Sequence, residues 1–263
     1  MRDSDIVINQ LEKELASFIK QNPTFKHLLW DSFNDHKNRY KKDLELVNKY
    51  FKGGKILDLG ANPFHITFCL KELGFDVTGV DINPDSFTAF LKKYDLDIKK
   101  VNIETEKLPF KEKTFDFVIF NEVFEHLRIN PIFTLKEIYR VLKPGGILLL
   151  TTPNLYAIHK ILMFNLGKSF NDAYDEFNKL NIYGYMGHIR EYSTREIGKF
   201  LQNTNFKIEN VVYRHDYSFF NYPGFNNIFI KSVGLVVDLL MMINPYWRRH
   251  IAVIATKEGF LRK

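Results

Sequence analysis

The stretch NEVFEHL, Asn121 to Leu127, gathers two carboxylates and an imidazole in a few residues. If Glu122 opens a helical turn, Glu125 and His126 at i+3 and i+4 share its face. Such a face supports a general base: a hydroxyl acting as nucleophile must lose its proton as it attacks, and histidine suits neutral pH. The plainer reading is that both glutamates cap the turn while His126 packs or bonds to backbone. His188 in GHIREYS extends the set. Glu122, Glu125, His126 and His188 together could hold a divalent metal that lowers the pKa of an acceptor hydroxyl. His188 could equally fix its own segment by hydrogen bonds, with Arg190 paired to Glu191 or another acid, or holding an anionic acceptor group.

A second group lies in KILDLGANPFHIT, where Asp58 and Gly60 end an apolar run. Asp81 follows at the spacing from the first glycine that a carboxylate accepting from both ribose hydroxyls needs. That identifies an adenosine cofactor better than it identifies a reaction. A dinucleotide loop needs close backbone approach to a pyrophosphate, and Asn62-Pro63-Phe64 removes flexibility and, at Pro63, one amide donor. An adenosine cofactor without phosphate tolerates this loop, in which Asn62 could adopt a left-handed conformation or offer a side-chain contact.

The elements that must position these residues are legible as alternation. Residues 1–52 read as helices, DIVINQLEKELASFIK and then Phe33 to Phe51, an N-terminal cap ending at Gly53-Gly54. From Lys55, strands alternate with helices: KILDLG, Phe64–Leu73, DVTGVD, Pro84–Tyr94, IKKVNI, FDFVIF, Ile132–Leu142 and GILLLTT. STREIGKFLQNT, FKIENVVYR and HIAVIATK complete the series. Short apolar strands joined by crossover-length segments predict a doubly wound α/β fold with a mostly parallel sheet and helices on both faces. Residues 53–263 form this domain, interrupted at 155–191, read as an irregular lid or substrate element, and again at 214–249. Lys143-Pro144-Gly145-Gly146 reads as a helix stop and turn, not a phosphate cradle. In such sheets ligands sit at the carboxyl ends of strands, which here are Asp58, Asp81, Glu104 and Asn121 with their neighbours.

The chain has 263 residues, 45% hydrophobic and 26% charged, enough for one large core. Acids among the apolar residues of Met1 to Gln21 argue against an export signal. The single cysteine, Cys69, excludes an internal disulfide and a cysteine-built zinc site, fits a reducing cytoplasm and suits a buried helix face. The net charge of +6 is scattered without a long basic block, so nucleic acid is not indicated. Residues 228–243, IFIKSVGLVVDLLMMI, are the most apolar stretch. They are too short to span a bilayer, so they read as a buried helix or, with NPYWRRH after them, as a peripheral membrane contact through 228–249.

Five motifs in order carry a resemblance: ILDLGAN, VTGVDINP, IETEKLPF, FDFVIFNEVFEHL and IYRVLKPGGILLLTTPN. From Lys55 to Asn154, and again at HIREYSTREIGKFL and HIAVIATK, the sequence resembles class I S-adenosylmethionine-dependent methyltransferases, whose sheet is Rossmann-like and seven-stranded. The resemblance implies S-adenosylmethionine as cofactor, with Asp58 and Gly60 near its methionine part, Asp81 on the ribose hydroxyls, and Asn62 and Ile82 among the cofactor-binding residues. It puts Glu104 near the adenine and Asn121 beside the sulfonium, with His126, Glu122 and His188 on the acceptor side. EHL, TPN and H-x-R-E-Y also look like methyltransferases of surface-polysaccharide synthesis, and Glu-x-x-Glu-His with a later His like metal-dependent small-RNA 2′-O-methyltransferases.

The expected function is therefore O-methylation of a sugar hydroxyl on a surface glycan or its precursor, with His126 as base. The alternatives are an RNA ribose or small-molecule quinone acceptor and, in another class, a scaffold that keeps the fold without catalysis. His65, by this reading, is structural; Tyr183, Tyr185 and Tyr192 stack on sugar rings or line the core; Arg39 and Tyr40 close over the cofactor.

Overall fold

The computed structural model describes residues 3–183, 187–188, 190–216 and 228–258. Two compact units divide the chain: Met1–Phe120 with Phe133–Leu149 and Thr256–Lys263, and Asn121–Ile132 with Leu150–Ala255.

In the first unit, α1 (Ser4–Gln21) starts at Asp3, whose carboxylate accepts the Asp5 N–H. It buries Val7, Ile8, Leu11, Leu15 and Phe18, the i, i+3/i+4 stripe of an amphipathic helix. Burial of each of these large side chains contributes about 2 kcal/mol. A π-helical segment, Lys26–Asp31, runs into α2 (Ser32–Tyr50). Both helices pack on α3 (His65–Glu72), so the N-terminal helices are part of this unit's core.

The unit's strands include β1 (Lys55–Leu59), β2 (Asp76–Asp81), β3 (Ile98–Lys100), most of β4 (Phe115–Asn121) and the first part of the next strand, residues 142–149. Apart from Lys55, β1 is buried throughout, as a strand covered on both faces must be. β1 pairs in parallel with β2 and β4, Ile56 lying opposite Val77 and Phe117. α4 (Thr88–Lys93), entered from a one-turn 3-10 helix at Pro84–Phe87, and α5 (Pro131–Val141) complete the alternation.

The remaining elements are β5 (Leu142–Pro153), α6 (Ile158–Asn165), α7 (Ala173–Tyr183), α8 (Thr194–Asn203), β6 (Phe206–Arg214), α9 (Ile228–Ile243) and β7 (His250–Lys257). The seven strands form one mostly parallel sheet in the order β3-β2-β1-β4-β5-β7-β6. Strand order reverses between β1 and β4, the switch point at which such sheets bind ligands.

Two expectations change. The first interruption, 155–191, is built on helices α6 and α7 and is not irregular. Lys143-Pro144-Gly145-Gly146 lies within β5, with the chain turned at Gly145 (φ +78°), where a side chain would be strained. Cys69 is buried as expected, and burial pushes its thiol pKa up. α8 begins with a capping box: the Ser193 side chain accepts the Glu196 N–H while the Glu196 carboxylate accepts the Ser193 N–H.

Candidate functional site

Within the first unit, the turn after β1 is shaped by its own backbone and by Asp81. The N–H groups of Gly60 and Ala61 both donate to the Val80 carbonyl, at 2.8 and 3.0 Å, tying the turn to the end of β2. Gly60 sits at φ +76°, a conformation glycine adopts without cost. The left-handed residue beyond it is Phe64 (φ +68°), not Asn62, whose peptide bond to Pro63 is cis. A fully buried phenylalanine thus adopts the backbone usually given to glycine, its ring 5.2 Å edge-on from Phe87.

Asp81 accepts the Asn62 N–H on Oδ2 (3.1 Å) and the Asn83 N–H on Oδ1 (2.9 Å). Its carboxylate therefore fixes the turns after both strands, and each oxygen retains acceptor capacity for a diol. Burial raises its pKa, since those two amides only partly replace the lost water. Asp58 is more deeply enclosed: it accepts the Thr67 hydroxyl at 2.6 Å, and burial pushes its pKa up to about 7, helped by the Asp81 and Asp43 carboxylates. A desolvated acidic cluster of this kind suits a cationic or hydroxyl-rich ligand. Ile82, the next residue, is exposed; Glu104 is half-buried in the turn after β3, where its N–H donates to the Asn102 side chain.

His65 opens α3, buried, with its ring against Tyr40 (5.2 Å) and Phe33 (5.6 Å). Burial drives its pKa down to about 3, so it is neutral and structural, as the sequence suggested. Tyr40 belongs to this aromatic cluster, with the Arg39 guanidinium 5.5 Å from its ring.

In the second unit, the helical face expected at Glu122 is not formed. Glu122 itself has φ +53°, a left-handed turn, and only Phe124–His126 form a single 3-10 turn. Glu122 is instead tied to β5: its N–H donates to the Thr151 carbonyl (2.8 Å) and its Oε1 accepts the Thr151 hydroxyl (2.9 Å). Its other oxygen faces His250 Nε2 at 3.7 Å, and His250 Nδ1 lies 2.9 Å from Asp216. Glu125 is buried and accepts the Thr152 hydroxyl (2.9 Å). The two threonines of the TTPN motif thus each hold one of the two glutamates.

Glu125, His126 and His188 come together, with one ligand atom of each within 4.8 Å of the others. The imidazoles meet edge to face, 4.9 Å between centroids. His126 Nδ1 lies 3.2 Å from the Gly187 carbonyl and His188 Nδ1 lies 3.1 Å from Glu191, so both Nδ1 atoms carry a proton. His188 Nε2 is 4.0 Å from Glu125. Burial, with His126 beside it, lowers the His188 pKa to about 4, keeping it neutral. Three of the four expected metal candidates therefore converge, and Glu122 does not join them.

One carboxylate and two imidazoles, each imidazole anchored through Nδ1, are a donor set that fits a divalent cation. The same cluster fits a general base.

Glu191 does not pair with Arg190, as one reading had it. It forms a buried ion pair with Lys160, and Arg190 pairs with Glu196. Tyr192 lines the core, packed on Phe124 and Phe200. Tyr185 and the side chain of Tyr183 lie outside the described residues. Asn121, at the end of β4, has both side-chain polar atoms buried and without a protein partner among the described residues, which fits a ligand contact there. Sequence reasoning missed Lys160, Asp216 and His250, which lie far along the chain from NEVFEHL and form no motif with it.

A family model described as "Methyltransferase domain" matches residues 32–211. The chain is 32% identical over 120 residues to the uncharacterized protein MJ1123 of Methanocaldococcus jannaschii, covering 43% of this chain and 52% of that protein. It is 30% identical over 190 residues to demethylmenaquinone methyltransferase of Staphylococcus saprophyticus, covering 65% of this chain and 81% of that enzyme. In fold it matches a SAM-dependent methyltransferase from Archaeoglobus fulgidus, with TM-score 0.57 and 16% identity, over 87% of this chain and 100% of that one.

Proposed function

The chain belongs to the methyltransferase-domain family and is a class I S-adenosylmethionine-dependent methyltransferase, and on that premise we propose that it methylates a hydroxyl group of a sugar, on a surface glycan or its precursor. The observation behind O-methylation is the convergence of Glu125, His126 and His188, with His126 Nδ1 held 3.2 Å from the Gly187 carbonyl. S-adenosylmethionine supplies an electrophilic methyl group on a sulfonium. By the resemblance, Asp81 would accept from its ribose hydroxyls, Asp58 and the Gly60 turn would take the methionine part, Asn121 would lie beside the sulfonium and Glu104 near the adenine. His126 would take the acceptor's hydroxyl proton as that oxygen receives the methyl group, so the work of the protein is mainly positioning and one proton transfer. Glu122 and His188 hold the acceptor side in place. If a divalent cation is part of the enzyme, Glu125, His126 and His188 would hold it, and it would acidify the acceptor hydroxyl.

The sugar assignment rests on the EHL, TPN and H-x-R-E-Y motifs. A second acceptor class, a quinone-type ring hydroxyl, is favoured by the similarity to a demethylmenaquinone methyltransferase. Methyl transfer from labelled cofactor to lipid-linked sugars, nucleotide sugars and reduced naphthoquinones separates the two. Label in the sugar fraction supports the proposal, and label only in the quinone overturns it. Turnover in the presence of a chelator decides between base and metal.

A further inference from the structure

A single hydroxyl supports the charge of Asp58. Thr67 donates to its Oδ2 at 2.6 Å, and among the described residues this is the only hydrogen bond that the Asp58 side chain accepts. Both residues are buried, Thr67 completely. Across the sheet, Asp58 lies opposite Gly79 of β2 and Ile119 of β4, neither of which has a polar side chain. The charged groups that act on it are the carboxylates of Asp81, at the end of β2, and of Asp43, in α2, both of its own sign. From α3 it meets Thr67, two residues after the neutral His65.

The place of Thr67 depends on a missing side chain. A Cβ at Gly79 would come within 3.1 Å of the Ala61 Cβ and 3.6 Å of Thr67 Oγ1. Its absence lets the turn after β1 and the first turn of α3 close onto β2, which brings the hydroxyl to the carboxylate. A buried helix position of this kind would pack valine equally well, so what threonine adds is the hydrogen bond.

We propose that Thr67 is a positioning residue for the cofactor: its hydroxyl holds Oδ2 of Asp58, leaves Oδ1 for the cationic amine of the methionine part, and favours the ionised carboxylate that such a group needs. This rests on the reading of Asp58 as a cofactor residue. Burial pushes the Asp58 pKa up to about 7, the Thr67 hydroxyl opposes the rise, and Asp81 and Asp43 add to it. Binding at Oδ1 therefore selects the ionised form, and Thr67 sets the pH range over which that form is present.

Calorimetry of the full chain with S-adenosylmethionine, without any acceptor, tests this at pH 6, 7 and 8.5 on the parent, Thr67→Val, Thr67→Ser, Asp58→Asn and the double variant Asp58→Asn with Thr67→Val. Thr67→Val should weaken Kd by about 3–10-fold at pH 7, because one charge-assisted hydrogen bond is lost. The loss should grow at pH 6 and shrink at pH 8.5, where the carboxylate is ionised with or without the hydroxyl. Thr67→Ser, which keeps the hydroxyl, should bind as the parent does. In the Asp58→Asn background, Thr67→Val should add nothing, since the hydroxyl acts through the carboxylate. Thermal melting checks that each variant is folded. A loss equal at all three pH values, or one that persists in the Asp58→Asn background, would show that Thr67 only packs the turn and overturns the proposal. A parent Kd in Thr67→Val beside a weakened Asp58→Asn overturns it and leaves the reading of Asp58 standing, whereas a parent Kd in both overturns the two together.

Discussion

His188 is held by Glu191: its Nδ1 lies 3.1 Å from Oε1, while the other oxygen of the same carboxylate is the counter-ion of buried Lys160. One side chain thus sets the orientation of an imidazole and neutralises a buried ammonium. Glu191→Gln keeps the shape and removes the charge. It should lower stability by about 1–3 kcal/mol, because Lys160, whose pKa burial already pushes down to about 7, loses its counter-ion and is left as a buried neutral amine. It should lower kcat by roughly 10–100-fold, because the ring loses its fixed tautomer. Adding Lys160→Met should restore much of the stability and none of the rate, so unfolding curves and steady-state kinetics on the single and double variants separate the two roles. A double variant with the parent's kcat would remove Glu191 from the site.

Much of this arrangement could be read beforehand, and what could not has a common cause. The apolar runs of β1 and β4, the i, i+3/i+4 stripe of α1 and the Ser193/Glu196 capping box are local patterns, and local patterns survive in the sequence. Asp58, Asp81, Glu125 and His126 stand out as candidates because ligands sit at strand ends in this architecture. The Glu122 face failed because β5 captures Glu122 through Thr151, bending its backbone left-handed where helix geometry had been assumed. Lys160–Glu191 and Asp216–His250–Glu122 join residues distant in the chain, and pairings of that kind leave no periodicity to detect.

Asp81 makes a prediction about the cofactor alone. Its two oxygens hold the Asn62 and Asn83 amides and face the position expected of a ribose diol. Asp81→Asn turns one acceptor into a donor set against an N–H, disturbing the turn and removing a charge-assisted hydrogen bond. A loss of about 1.5–3 kcal/mol follows, a Kd for S-adenosylmethionine roughly 10–100-fold weaker. Calorimetry measures it without any acceptor, and an unchanged Kd would contradict the assignment.

Phe64 sets two effects against each other. Its left-handed backbone costs about 1 kcal/mol, which Phe64→Gly would relieve. The same substitution deletes a fully buried ring packed on Phe87, a loss of about 3–5 kcal/mol. Burial wins, and Phe64→Gly should destabilise by about 2–4 kcal/mol in denaturant unfolding. A stabilised variant would mean that the ring contributes far less than its burial implies.

The pH dependence of the cofactor-free protein follows from groups shifted in opposite directions. His65 and His159 fall from 6.5 to about 3 and His188 to about 4, each mainly through burial. Between those values the unfolded chain binds more protons, so each histidine makes stability fall as pH drops below about 6.5. Asp58 rises from 3.8 to about 7, and Asp81 also rises, so between about 7 and 3.8 the folded chain binds more protons and these carboxylates make stability increase with acid. A fully titrating group contributes about 1.4 kcal/mol per pH unit, so Asp58 offsets roughly one histidine through the shared window. Asp58→Asn removes that offset. The variant should be more stable than the parent at pH 8 by a few kcal/mol, because a desolvated charge is gone while the Thr67 hydroxyl still has an acceptor. The advantage should shrink steadily as pH falls from 7 toward 4, where the parent's Asp58 is protonated in any case. Urea unfolding of both proteins at pH 8, 6.5 and 5 gives the comparison, and a stability difference that does not change with pH would show that Asp58 does not titrate in this window.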